Sequence, residues 1–157
     1  MYHDWYSKEH YIDTVIYSID KIIKGLKIEL KNKLETLNIG ITGEQFIVLD
    51  TICGKENIYQ QQLSEIIMKD KSNTNRILKI LEQKGLITKE YGNVKNRLVY
   101  FLKPTDAGRK IVEDNMPKIK QFITEIFKNI DNSEIDILHK LSSKFQADLS
   151  DVTGDIL

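Results

Sequence analysis

Hydrophobic spacing changes period once along this chain, and that change limits the folds open to it. On either side of residues 86–102, apolar side chains recur every three or four positions, the mark of helices that bury one face. Leu86 to Tyr91 and Arg97 to Leu102 instead read with a period of two, as strands do. The turn-rich run Gly92-Asn93-Val94-Lys95-Asn96 joins them into a hairpin. Two strands are marginal by themselves in water, so the hairpin must lean on helices. The expectation is a mainly α protein carrying one small β-hairpin.

The helices follow from stripes and caps. Ile12, Val15, Ile16, Ile19, Ile22, Ile23, Leu26, Leu30 and Leu34 mark a first helix over about residues 7–36, weakened at Gly25. Asn38 and Gly40 stop it. Thr42-Gly43-Glu44-Gln45 is a capping-box pattern that opens a short second helix, with Phe46, Leu49 and Ile52 inward and an end near Gly54. Gln60 to Met68 reads as a third helix with Leu63, Ile66 and Ile67 inward. Asp70 caps a fourth from Lys71 to Lys84, which Gly85 terminates. Thr105 caps a fifth, with Ile111, Ile119, Phe122, Ile123, Ile126 and Phe127 as its stripe. Pro117 is expected to kink or break that helix near Met116. Ser133, with Asp136 three residues on, is expected to cap a last helix that turns Leu138, Leu141, Phe145 and Leu149 inward.

Terminal helices with long apolar faces flank a centre too small to cover them all. They can pack on one another or on a second copy of the chain, and the two-fold dimer is the favoured solution. Ile12, Ile16, Ile19, Phe122, Phe127, Leu141 and Phe145 are its candidate interface. Tyr2, Trp5, Tyr6 and Tyr11 add aromatic surface in want of cover.

The 157 residues fit a single domain. One cysteine, Cys53, permits no internal disulfide and no multi-cysteine metal cage. The longest apolar run is the five residues Leu98 to Leu102, too short for a membrane span. The opening Met-Tyr-His-Asp-Trp lacks a basic region ahead of an apolar stretch, so a cytoplasmic setting is expected. No Gly-rich phosphate loop, HExxH, GxSxG or paired-cysteine motif is present, which argues against an enzyme.

Net charge is zero, but it is unevenly distributed. Residues 69–110 carry eleven bases against four acids, a local +7 that the rest of the chain offsets. Such concentration raises self-repulsion, and a polyanionic partner is the usual compensation; a solvated basic face without a partner is the plainer reading. Within this stretch Thr74, Ile77, Leu78 and Leu81 take the inward side of the fourth helix. Ser72, Asn73, Asn75, Arg76 and Lys79 are left outward, with hydroxyl, amide and guanidinium groups suited to base edges and phosphates. Lys95 and Arg97 sit at the hairpin tip, where a basic finger can enter a minor groove. A helix, a tight turn, a second helix and a basic hairpin fit double-stranded DNA. A protein-interaction module that meets an acidic partner is the alternative.

At these residues the sequence resembles the MarR family of winged helix-turn-helix regulators. The resemblance rests on Ile41-Thr42-Gly43-Glu44-Gln45-Phe46-Ile47-Val48-Leu49, on Gln62-Leu63-Ser64-Glu65-Ile66, and on Asp70-Lys71-Ser72-Asn73-Thr74-Asn75-Arg76. It continues through Leu81-Glu82-Gln83-Lys84-Gly85-Leu86-Ile87 and Leu102-Lys103-Pro104-Thr105-Asp106-Ala107-Gly108-Arg109. It implies a winged helix-turn-helix lobe at residues 41–104, with residues 1–37 and 105–157 as a helical dimerisation region, all within one domain. It further implies a homodimeric repressor on a pseudo-palindromic operator, with the fourth helix at the major groove and Arg97 in the wing. Members often respond to small aromatic or anionic ligands. The sequence departs from the family pattern at Asn96, where an acidic residue usually precedes the wing arginine, and at Pro117.

Two sensor readings stay open. Cys53 reads as a small buried hydrophobe or, with a lowered thiol pKa, as a redox switch. His3, Asp4, Glu9, His10 and Asp13, with His139 far off in sequence, read as solvated polar residues or as a metal switch; no metal or other cofactor is expected.

Overall fold

A computed structural model describes residues 10–153 of the chain. A 3-10 turn at Tyr11–Asp13 precedes α1 (Val15–Thr36), α2 (Gly43–Gly54), α3 (Gln60–Ile66) and α4 (Lys71–Gln83). Strands β1 (Ile87–Val94) and β2 (Arg97–Pro104) follow, then α5 (Asp106–Ile126) and α6 (Asn132–Thr153). These elements form two compact units, one ending at Gly43 and one beginning at Glu44.

In the first unit, α1 starts at Val15 and not near residue 7. Thr14 is extended, and its hydroxyl accepts from the Tyr17 N–H at 3.2 Å while donating to the Tyr11 carbonyl at 2.6 Å. One side chain thus closes the turn and caps the helix, so helical geometry begins only after it. The remainder of the expected helix start, residues 7–9, and Tyr2, Trp5 and Tyr6 lie outside the described residues. Along α1 Leu34 is buried, whereas Ile16, Ile19, Ile22 and Ile23 are exposed, as is Ile12 before it.

The second unit has its own core. Phe46, Val48, Leu49 and Ile52 of α2 are buried, as are Ile58, Leu63, Ile77, Leu78, Leu81, Leu86, Ile87, Leu102, Val112 and Ile119. Short α3 supplies only Leu63. Ile66 is exposed, contrary to the expected inward position, because the helix ends there and Met68 turns left-handed at φ 52°. The stop of α4 is as expected. Gly85 takes φ 68°, and the Leu86 and Gly85 N–H groups return to the Leu81 and Glu82 carbonyls at 2.9 Å each, a Schellman closure.

The hairpin is longer and its turn tighter than the sequence suggested. Pairing runs from Ile87↔Pro104 to Val94↔Arg97, so Gly92, Asn93 and Val94 are strand and not loop. Only Lys95 and Asn96 turn, both at positive φ (47° and 62°), the geometry of a type I′ hairpin. Gly92 belongs in the strand because the Phe101 ring lies across it; a Cβ there would sit 2.2 Å from the ring. Phe101 also meets Tyr59 edge-on at 6.4 Å, and the Leu102 N–H donates to the Ile58 carbonyl at 2.8 Å. The hairpin is thereby anchored to the segment leading into α3.

Two further expectations are corrected. Helix α5 runs through Pro117 without a break. Pro117 is exposed, where water can solvate the carbonyl that its missing N–H leaves unpaired. The buried side of α5 includes Val112 and Asn115, whose amide donates to the Ile111 carbonyl at 2.8 Å. Helix α6 is capped by Asp131 and not by Ser133: Asp131 accepts from the Glu134 N–H at 3.0 Å, and Glu134 accepts from the Asp131 N–H at 2.9 Å. Leu138, Leu141, Phe145 and Leu149, expected to face inward, are all exposed in the single chain.

Candidate nucleic-acid interface

The side chains of α4 divide by period. Thr74, Ile77, Leu78 and Leu81 are buried, which leaves Ser72, Asn73, Asn75, Arg76 and Lys79 exposed on the other side. The first turn is fixed by Asp70, whose carboxylate accepts from the Asn73 N–H at 2.8 Å and from the Asn73 side-chain amide. Those bonds hold the Asp70 carboxyl below its ordinary pKa. They also tie up one amide hydrogen of Asn73, so its carbonyl and second hydrogen are what it can offer a partner.

Buried Thr74 holds the two helices together. Its hydroxyl donates to the Asp70 carbonyl and accepts from Ser64 Oγ, both at 3.0 Å. On the other side of α4, Lys89 of β1 bonds Glu82 at 2.6 Å. The recognition face is therefore set by α3 below and by the hairpin beside it.

At the hairpin tip Lys95, Asn96 and Arg97 are exposed, with Lys95 in the turn and Arg97 opening β2. Within the basic segment Lys69 pairs with Glu44 at 2.8 Å, Lys89 with Glu82 at 2.6 Å and Lys110 with Asp114 at 3.1 Å. None of Arg76, Lys79, Lys95 and Arg97 pairs with a carboxylate among the described residues. The cations on the helix face and the finger are thus among the unneutralised ones of this segment, the condition a polyanion site requires.

One feature of the hairpin was not foreseen. The tight turn sets Tyr91 opposite Tyr100, with rings 4.5 Å apart and hydroxyls 3.0 Å apart. A five-residue loop would instead have set Tyr91 opposite Arg97. The sequence signal was the two residues able to take positive φ, and Gly92 obscured it.

The other candidates separate. Ile12, Ile16, Ile19, Leu141 and Phe145 are exposed in the chain, and Phe122 and Phe127 are half-buried. Cys53 is half-buried; burial raises its thiol pKa against the opposing influence of Arg109, which disfavours the redox reading. Of the N-terminal polar group only His10 and Asp13 are described; His3, Asp4 and Glu9 lie outside. Among the described residues no three His, Cys, Asp or Glu side chains are placed to hold a metal, and no helix is long and apolar enough to cross a membrane.

Comparison with known proteins agrees with this geometry. Residues 39–93 match the MarR family. An uncharacterised HTH-type transcriptional regulator of Bacillus subtilis, YdgJ, is 26% identical over 139 residues, covering 86% of this chain and 79% of the relative. A MarR protein of Peptoclostridium difficile shares the fold at a TM-score of 0.78 and 20% identity, over 96% of this chain and 97% of its own. MepR of Staphylococcus aureus, solved in complex with DNA, shares it at a TM-score of 0.75 and 20% identity, over 89% and 99%. The helix pair and the wing agree with that match over residues 39–93, and in fold the chain is similar to winged-helix regulators of the MarR family.

Proposed function

We propose that this DNA-binding regulator works in the cytoplasm as a homodimer that closes on a pseudo-palindromic duplex and represses until a small aromatic or anionic ligand releases it. Residues 41–104 read the DNA, and residues 1–37 and 105–157 hold the two copies together. The observation that carries this is the set of unneutralised cations, Arg76, Lys79, Lys95 and Arg97, on one helix face and one fingertip. Ser72, Asn73 and Asn75 supply hydrogen-bonding groups on the same helix face. The exposed apolar stripes of α1 and α6 support self-association, since a lone soluble chain rarely leaves such patches bare. MepR, a relative by fold, has been solved with DNA bound.

Selection of bound duplexes from a random pool tests the reading. The expected product is an inverted repeat whose half-sites lie about 34 Å apart, one turn of the helix. Failure to enrich any sequence, with no retention of duplex even at low salt, would overturn it.

A further inference from the structure

A cleft of about 360 Å³ opens beside the recognition helix and is not among the residues assigned above. Gln60, Gln61 and Ser64 of α3, Lys71 at the start of α4, and Leu98 and Tyr100 of β2 line it. Among the described residues no carboxylate does. Lys71 is exposed and pairs with no acid among the described residues. Neighbouring Asp70 has its carboxylate engaged by Asn73.

The strand contributes donors as well. The Leu102 N–H points away from β1, since it donates to the Ile58 carbonyl. Alternation along an antiparallel strand sends the N–H groups of Tyr100 and Leu98 to that same outer edge. Pairing on that edge ends at the Tyr59↔Phe101 bridge, so the Leu98 N–H opens beyond it, on the cleft side. The Tyr91 and Tyr100 hydroxyls share one hydrogen bond at 3.0 Å. Tyr100 is the donor in that bond; rotation of both hydroxyls, so that Tyr91 donates instead, frees the Tyr100 proton for a ligand in the cleft.

We propose that this cleft seats a phosphate of the DNA backbone, held by Lys71, Gln60, the Tyr100 hydroxyl and the outer edge of β2. The proposal rests on the functional reading above and extends it. Lys71 precedes Ser72 in the chain and Leu98 follows Arg97, so the cleft lies between the helix face and the finger. A duplex gripped by both must carry its backbone past the opening. That placement favours a phosphodiester over a free anion, although both offer the same oxygens. Contacts of this kind position the protein without reading sequence.

The test is equilibrium binding of the parent, Lys71→Ala and Tyr100→Phe to a selected duplex and to a random one, across a salt series. Lys71→Ala is expected to weaken binding to both duplexes alike and to lower the slope of log K against log salt by about one. Tyr100→Phe is expected to weaken both alike with the slope unchanged. Thermal melts of the variants matching the parent show that the fold is intact. A Lys71→Ala slope equal to the parent's overturns the proposal. So does stabilisation of the parent by inorganic phosphate that Lys71→Ala abolishes while its slope stays intact, which would make the cleft a free-anion site. A parent that binds no duplex sinks the functional reading as well, and the two failures are thereby told apart.

Discussion

Ser64 and Thr74 join α3 to α4 through hydroxyls 3.0 Å apart, with Thr74 fully buried. The angle at which the recognition helix is presented depends on this contact together with the apolar core. Thr74→Val keeps the shape and removes the hydroxyl, and Ser64 can still donate to the Gln60 carbonyl at 2.9 Å. The expected cost is about 1 kcal/mol, read as a lower urea midpoint. An unchanged midpoint would show that the hydroxyl pair adds nothing to stability.

Two helical glycines should respond to alanine with opposite signs. A Cβ on Gly108 would meet the Leu86 carbonyl oxygen at 2.2 Å, where the first turn of α5 lies against the connection from α4 to β1. Backbone cannot yield as a side chain does, so Gly108→Ala is expected to destabilise by about 1–3 kcal/mol. A Cβ on Gly25 in α1 would meet nothing within 4 Å among the described residues. There alanine is expected to stabilise by roughly 0.5–1 kcal/mol. Thermal melts of the two variants check the reversal.

Acid should loosen the starts of α4 and α6. Asp70 is held below the ordinary carboxylate range by the N–H and amide of Asn73, and Asp131 by the Ser133 hydroxyl and the Glu134 N–H. A carboxyl whose folded pKa is depressed stabilises the fold above its unfolded value of about 3.9 and loses that contribution as pH falls through the folded value. Asp131→Asn keeps a capping oxygen but not the charge. Urea midpoints of the parent and this variant are expected to differ at pH 7 and to converge as pH falls through the depressed folded value. A difference constant with pH would contradict the assignment.

Cys53 should be a slow thiol. Burial raises its pKa despite Arg109, so little thiolate is present at neutral pH. Alkylation of the folded protein at pH 7 is expected to lag well behind that of the urea-unfolded chain, and to speed up as pH rises. Equal rates for folded and unfolded protein would reopen the redox reading.

Much of this molecule is legible in its sequence. Asp70 and Gly85 bracket α4 because both termini need special backbone chemistry, and only a few residue types supply it. The buried side of α4, from Thr74 to Leu81, follows from period alone. The hairpin turn is shorter than its residues suggest because Gly92, normally a loop signal, here makes room for a ring nine positions away. The expected Ser133 cap of α6 is not formed because Asp131, two residues earlier, has the better reciprocal partner in Glu134. The cleft beside α4 could not be read at all, since it depends on which edge of β2 Ile58 leaves open.

Binding of the parent and of the Arg76→Ala Arg97→Ala double variant to a selected duplex at 150 mM salt bears most directly on the grip assigned to helix and finger. Each lost base contact is worth about 1–3 kcal/mol, so the double variant should bind at least roughly tenfold more weakly. Equal affinity of the two proteins for that duplex would contradict the account.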